Sequence, residues 1–299
     1  MVSYAEPRPG PRGGRARGRS AFLVGLGLLG GAAATWSGAF LARAPEPGRV
    51  LGPFRAAWAA AIGPVPAAAA GTSAPSSAHG SMTYGSWGSG FVADAPAGGA
   101  FTSLSTRFIA PPAPAHVASG WVAIWGGIGL SASGGDQLMQ AGVSMQSTAA
   151  GTWDASIPWW INEPSTPTVP NVMTVGVAPG DTVEVDLGQI TATSWGFRVT
   201  DVTTGATAYG SCTDCASRAD TAAWIVEDPT ASSGSGQTGY ADPAEVQFLS
   251  ASAAINSGPS VSLSALDWHP LLRAAGTAQQ GPAGSAPAAG GGFTVVDLP

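Results

Sequence analysis

Residues 138–146 read Leu-Met-Gln-Ala-Gly-Val-Ser-Met-Gln, and this stretch decides the fold. Apolar side chains occupy every second position from Met139 to Met145, while the intervening positions carry glutamine, glycine and serine. A period of two predicts an extended strand with one face in a core and the other face lining something polar. Gln140 lies on the polar face.

The same alternation recurs after residue 82, as in Val183, Val185 and Leu187, with breaks at Gly, Pro, Asp or Ser about every 8 to 12 residues. No segment there shows a convincing amphipathic helix. The pattern predicts one all-β domain over 82–299, an antiparallel sandwich of two sheets. Strands are predicted at Gly88–Val92, Phe101–Ile109, Gly120–Trp125, Leu138–Gln146, Val183–Leu187, Phe197–Val202, Ala222–Glu227, Glu245–Leu249 and Phe293–Val296.

Charge is sparse and unevenly distributed. The 299 residues carry 12 basic side chains, all arginine, and 18 acidic ones, for a net charge of −6. Eight of the arginines precede residue 56, and the rest of the chain has four arginines against 16 acidic residues. The main body therefore lacks the basic surface that binding to nucleic acid needs, and we expect no nucleic-acid partner.

The N-terminal residues 1–44 have the pattern of an export leader. Five arginines between Arg8 and Arg19 precede an uncharged, largely apolar stretch, residues 21–42. That length lies between a signal peptide and a membrane-spanning helix, so cleaved signal and retained membrane tether stay open. We expect a secreted or extracytoplasmic protein either way. Residues 45–81, rich in Ala, Pro, Gly and Ser, are predicted to be a linker or a propeptide.

Familiar catalytic and metal motifs are missing. The three histidines lie in no GxSxG elbow and no HExxH helix, which removes the usual signatures of a serine hydrolase and a zinc peptidase. Cys212 and Cys215 lack two further ligands at suitable spacing, so a local disulfide is the better interpretation in an exported protein. We expect neither metal nor cofactor. The glycines of residues 234–239 match a dinucleotide fingerprint in letters but are followed by no helix.

Two further features are candidates for a site. Glu227 ends the otherwise apolar run from Ala222, so its carboxylate either faces solvent or lies in a partly dry site. Nine of the eleven tryptophans fall in the predicted domain, and Trp121 and Trp125 share a strand face. Such aromatic side chains are ordinary core or line a cleft for an extended peptide or glycan.

Several segments, in order, resemble the glutamic peptidases, the eqolisin family, from about residue 84 onward. The matching segments are residues 86–90 (SWGSG), 101–111 (FTSLSTRFIAP), 121–126 (WVAIWG), 139–143 (MQAGV), 159–164 (WWINEP), 179–182 (PGDT), 202–205 (VTTG), 224–228 (WIVED) and 241–248 (ADPAEVQF). The resemblance implies a concanavalin-like jelly roll and an acid-acting endopeptidase. It implies that Gln140 and Glu227 are the catalytic pair on a concave sheet face.

The implied chemistry suits these residue types. A carboxylate near the ordinary glutamate pKa of about 4.3 still accepts a proton in acid, where a histidine base is already protonated. Glu227 would take a proton from water and pass it to the leaving amine, and the amide NH2 of Gln140 would stabilise the oxyanion. Substrate-binding side chains are expected at Trp121, Trp125, Trp159 and Trp160.

The chain departs from the family at three positions. Trp125 and Ser144 stand where the family has aspartates, and Ile161 stands where it has an acidic residue, unless Glu163 takes that role. The alternative is therefore a catalytically degenerate sandwich that binds peptide or glycan in the aromatic cleft; a purely structural domain is a third reading. For the peptidase we expect protein or peptide substrates and a monomeric state.

Overall fold

A computed structural model of the chain describes residues 83–85, 88–115, 120–129, 138–147, 151–153, 155–162, 171–213, 215, 219–228, 240–275, 278–283 and 286–298. The leader, the 45–81 segment, Trp87, His79 and His116 lie outside the described residues. In the part that is described, no helix is long and apolar enough to cross a membrane.

Strands make up almost all of the described chain, with one short 3-10 helix at Leu263–Ala265. The strands are β1 (Thr83–Gly85), β2 (Gly88–Asp94), β3 (Phe101–Ile109), β4 (Gly120–Ile128), β5 (Met139–Ser147), β6 (Ala155–Asn162), β7 (Asn171–Val172), β8 (Thr182–Thr191), β9 (Ser194–Asp201), β10 (Ala206–Thr213), β11 (Thr221–Glu227), β12 (Glu245–Ile255), β13 (Ser260–Ser262), β14 (Asp267–Ala275), β15 (Ala278–Pro282) and β16 (Phe293–Leu298). All nine predicted strands are present, several of them longer than predicted.

Hydrogen bonding runs without a break through one open sheet in the order β10-β9-β8-β3-β12-β16-β15-β14-β2-β11-β4-β5-β6-β7. The sheet folds over on itself into two layers, with β16 and β15 at the turn. All pairs along this path are antiparallel, and β1 adds a parallel pairing to β14. The predicted sandwich is confirmed, with the refinement that its two layers belong to one continuous sheet.

The core between the layers comes from the alternating apolar positions. From β8 and β9 it receives Val183, Val185 and Phe197; from β5, on the opposite layer, it receives Met139 and Met145. Side chains at every second position point into this core, so their neighbours in sequence must point the other way. This fixes which face of β5 and β11 is left for a site.

Cys212 and Cys215 form a disulfide at the end of β10. The sequence prediction of a local disulfide is confirmed. The bond closes a loop at the edge of the layer that lies opposite β4 and β5.

Candidate active site

The candidate site lies on the outer face of the layer β14-β2-β11-β4-β5-β6, which we call the site face. A second apolar cluster covers this face; its members are Val92, Ala123, Trp125, Leu138, Trp159, Ala223, Ile225 and Leu271. Gln140 and Glu227 fall on the same face, because each alternates with residues that point into the core between the layers. The two residues therefore do not lie on different faces, which is one of the two arrangements that would favour a purely structural domain.

Glu227 is the last residue of β11, between β2 and β4. Its backbone pairs with Gly88 on one side and Ala123 on the other. The side chain is fully buried (0% exposed), so this strand-end carboxylate is not the solvent-facing charge that the sequence also allowed. A buried carboxylate is costly unless it is hydrogen-bonded.

The indole of Trp125 supplies a hydrogen bond to this carboxylate. Its Nε1–H donates to Oε2 of Glu227 over 2.7 Å, and Trp125 is itself 0% exposed. This contact joins residues that are 102 positions apart in sequence.

Gln140 lies on β5, opposite Gly127 of β4 and Ile161 of β6. It is also 0% exposed, and neither its Oε1 nor its Nε2 forms a hydrogen bond with any part of the chain that the structure describes. An amide that is buried with unused donors and acceptors is costly in a core residue and is typical of a ligand site.

The register gives the separation of the pair. Glu227 lies opposite Ala123 of β4 and Gln140 opposite Gly127, so the two residues are two strands and four positions apart. With standard strand spacings the Cα atoms are roughly 16 Å apart. Trp125 of β4 lies between these two positions on the same face, so its indole separates the two side chains.

Residues that pair with one another across neighbouring strands form a row across the sheet. Glu227, Ala123 and Ser144 form one such row, with Ala123 in the middle. The Oγ of Ser144 is buried and makes no hydrogen bond to the described part of the chain. The position at which the resemblance expects an aspartate thus carries a neutral hydroxyl on the site face.

Of the other tryptophans predicted to bind substrate, the structure describes the side chains of two, Trp159 and Trp121. Trp159 is 2% exposed and belongs to the apolar cluster of the site face, opposite Gly142. Trp121 is buried near Tyr240, with which it forms a parallel bridge. The side chain of Trp160 lies outside the described residues, as does Glu163.

A polar network behind β11 was not expected from the sequence. Asp228, the residue after Glu227, accepts a hydrogen bond of 2.7 Å from Arg273 of β14. The Arg273 guanidinium lies 4.2 Å from the centre of the Tyr240 ring. These contacts hold the end of β11 to β14. Arg273 and Tyr240 belong to no sequence motif. Their contacts could be recognised only after the pairing of the strands was known.

The network continues to a pair of carboxyls. The Oε1 of Gln280 accepts from the Tyr240 hydroxyl over 2.8 Å and from Ser89 over 3.1 Å, and the Gln280 Nε2 donates to Asp242 over 3.1 Å. Burial, and then a hydrogen bond and repulsion from Asp297, raise the pKa of Asp242 to about 6. Folding therefore favours the protonated form of this carboxyl.

No group of three or more His, Cys, Asp or Glu side chains that could hold a metal is present among the described residues. His269 is the one histidine in that part of the chain, and its Nδ1 lies 3.6 Å from Asp94, at the far end of β2 from Gly88. His269 pairs with Val92 on β2, two strands away from β4, so of the proposed pair only the carboxylate of Glu227 can exchange a proton.

Comparison with known proteins agrees with this architecture. The model of the peptidase A4 family matches residues 86–270. Scytalido-glutamic peptidase, solved with a peptide-based transition-state analogue, is 18% identical, covers 71% of this chain and 98% of its own, and has a TM-score of 0.56. SCP-B, an eqolisin solved with the tripeptide Ala-Ile-His, gives the same identity and coverage with a TM-score of 0.53.

A third solved structure, aspergilloglutamic peptidase from Aspergillus niger, is 19% identical over 60% of this chain and 99% of its own, with a TM-score of 0.45. No curated protein sequence matches the chain. Since the family model spans more than half of its residues, the chain belongs to the peptidase A4 family, the eqolisins, and is a glutamic-type peptidase.

Proposed function

We propose that this glutamic-type endopeptidase hydrolyses peptide bonds in acid, with Glu227 as general base and then general acid and Gln140 as the oxyanion stabiliser. The observation that carries the proposal is the placement of two buried side chains on one sheet face, a carboxylate held by an indole and an amide with no hydrogen bond to the described chain. Peptide hydrolysis requires a base that activates water and a donor that stabilises the oxyanion, and these two side chains can supply both.

The proposed reaction needs no group beyond these two. Glu227 takes a proton from water as the water oxygen attacks the carbonyl carbon, and Gln140 donates its amide N–H to the carbonyl oxygen as that oxygen becomes negative. The protonated Glu227 then gives its proton to the leaving amine as the C–N bond breaks. The solved eqolisins with a transition-state analogue and with a tripeptide support a peptide as the substrate class.

Peptide entry requires a change at the site face. Gln140, Glu227 and Trp125 are all 0% exposed in this structure. A substrate therefore reaches the pair only after these side chains become accessible.

The test is an acid digestion assay with matched controls. Glu227→Gln and Gln140→Ala are compared with the parent chain on a denatured protein substrate at about pH 3 to 4, near the ordinary pKa of glutamate. Glu245→Gln and Gln247→Ala repeat the same chemical changes at exposed positions of β12. The site variants should lose activity and the control variants should keep it; equal rates for all five proteins would overturn the proposal.

One observation favours a second candidate, a degenerate sandwich that binds peptide or glycan without cutting it. Trp125 and Ser144 replace two carboxylates that the resemblance expects on this face. This candidate predicts saturable binding on a peptide or glycan array together with no acid proteolysis by the parent chain.

We further propose that the protein acts outside the cytoplasm as a monomer. The arginine-rich leader and the Cys212–Cys215 disulfide support an oxidising compartment. Cell fractionation and light scattering test the two statements; a reduced cytoplasmic protein would contradict the first.

A further inference from the structure

Trp125 occupies the centre of the proposed catalytic pair. It lies on β4, the strand between β11 and β5, and it pairs with Ile225 and Gly142. That row falls midway between the row of Glu227 and the row of Gln140. The indole is therefore the side chain on the direct line between the two proposed catalytic groups.

One edge of the Trp125 indole contacts Glu227, and the opposite edge lies near Gln140. Its Nε1–H donates to Glu227 Oε2 over 2.7 Å. On the other edge, Cζ3 lies 2.9 Å from the place that a Cβ on Gly127 would take, and the Cβ of Gln140 lies 3.2 Å from the same place. The ring thus spans the floor of the site from Glu227 to the base of the Gln140 side chain.

Glycines make room for the ring. A Cβ on Gly142 would lie 2.6 Å from the Trp125 Cβ, closer than real Cβ contacts allow. Gly127 thus leaves space for the ring, and Gly142 leaves space for the base of the same side chain. A side chain packed in this way is a preorganised hydrogen-bond donor.

An indole N–H can only donate a hydrogen bond. Its bond therefore favours the ionised carboxylate over the protonated acid, and a buried hydrogen bond to a charged group is among the stronger ones. The contact acts directly on the protonation state that a general base requires.

The residues that pair with Glu227 on the two adjacent strands, Gly88 and Ala123, are uncharged. Next to Glu227, β2 carries Gly88 and Ser89, and β5 carries Ser144. The charges of the neighbouring elements are engaged elsewhere: Asp228 with Arg273, Asp94 near His269 at the far end of β2, and Asp242 with Asp297 behind Tyr240.

We propose that Trp125 is a positioning residue that holds the Glu227 carboxylate ionised and oriented, so that this chain keeps its general base in stronger acid than it would without the indole N–H. This inference rests on the proposed function of Glu227. It assigns to Trp125 a role other than contact with substrate.

The first test is the pH profile of kcat/KM for Trp125→Phe, which keeps an aromatic ring and removes the N–H. The acid limb reports the general base of the free enzyme, and it should move to higher pH by about one to two units. Trp153→Phe is the matched control, because it removes an indole hydrogen bond of 2.9 Å to the carbonyl of Pro111, outside the site. A loss of activity that is equal at every pH would overturn the proposal.

The second test needs neither activity nor a folded variant at position 125. In the NMR spectrum of the 15N-labelled chain, the indole proton of Trp125 should shift with pH in one step as Glu227 titrates, and Glu227→Gln should abolish that step. An indole proton that does not respond to Glu227 overturns the proposal. If the indole proton responds to Glu227 but the chain has no peptidase activity, the contact between Trp125 and Glu227 is supported and the proposed function is rejected.

Discussion

Asp242 gives the strongest prediction about acid tolerance. Its folded-state pKa is raised to about 6 from an ordinary value of 3.8, mainly by burial and then by Asp297. A raised carboxyl pKa contributes stability that is fully present below pH 3.8 and is lost as the pH rises through about 6. The parent chain should therefore lose free energy of unfolding between about pH 4 and pH 7 through this group.

The size of the loss follows from the shift. A shift of about two units corresponds to ~3 kcal/mol for a group wholly removed from solvent. Asp242 is only half-buried, so solvent screening reduces this value, and we expect about 1 kcal/mol. Asp242→Asn keeps an oxygen to accept from Gln280 and cannot ionise, so it should remove this part of the pH dependence.

The assay is urea unfolding followed by tryptophan fluorescence, at constant ionic strength, from pH 3.5 to 7.5. Carboxylates remote from position 242 contribute equally to both proteins, so the difference between them isolates Asp242 together with its partner Asp297. Asp242→Asn should match the parent near pH 4 and exceed it by about 1 kcal/mol near pH 7. Asp267→Asn, at an exposed position of β14, is the control. Parallel curves for Asp242→Asn and the parent chain would refute the reasoning.

Two other predictions concern the site face. Gly142→Ala places a Cβ 2.2 Å from the Ile124 carbonyl oxygen and 2.6 Å from the Trp125 Cβ, so urea unfolding should show a loss of about 3 kcal/mol. Gly176→Ala, with no atom within 4 Å of its added Cβ, should change stability by less than about 1 kcal/mol. Because the catalytic pair is buried and residues 45–81 read as a linker or propeptide, a chain that starts at residue 82 should show a higher kcat/KM in the acid assay. An unchanged kcat/KM would mean that residues 1–81 do not limit access.

Alternation in sequence was sufficient for the strands that pack against the core. β5 and β8 each have one apolar face. The alternation that produces this face can be read from the sequence of one strand, without knowing which strands pair with it. β10 was missed because it pairs with β9 alone along the sheet and its residues, mostly small, are partly exposed. β14 was missed because Pro270 and mixed polarity interrupt its pattern.

The sequence also predicted that Gln140 and Glu227 share a site, but their catalytic roles stay predictions. What it could not predict was the partner of each side chain. Trp125 and Glu227 are 102 residues apart and meet through the register of β4 against β11. Arg273 meets Asp228 through the path from β14 across β2 to β11. Such contacts depend on tertiary pairing, which no local pattern encodes.

The most direct test of the proposed mechanism is the kcat/KM of Glu227→Gln beside that of the parent chain, on one peptide substrate at about pH 4. The mechanism predicts a loss of at least about a hundredfold, the contribution of a general base, while Glu245→Gln retains the parent value. A Glu227→Gln protein that is folded and as active as the parent would contradict it.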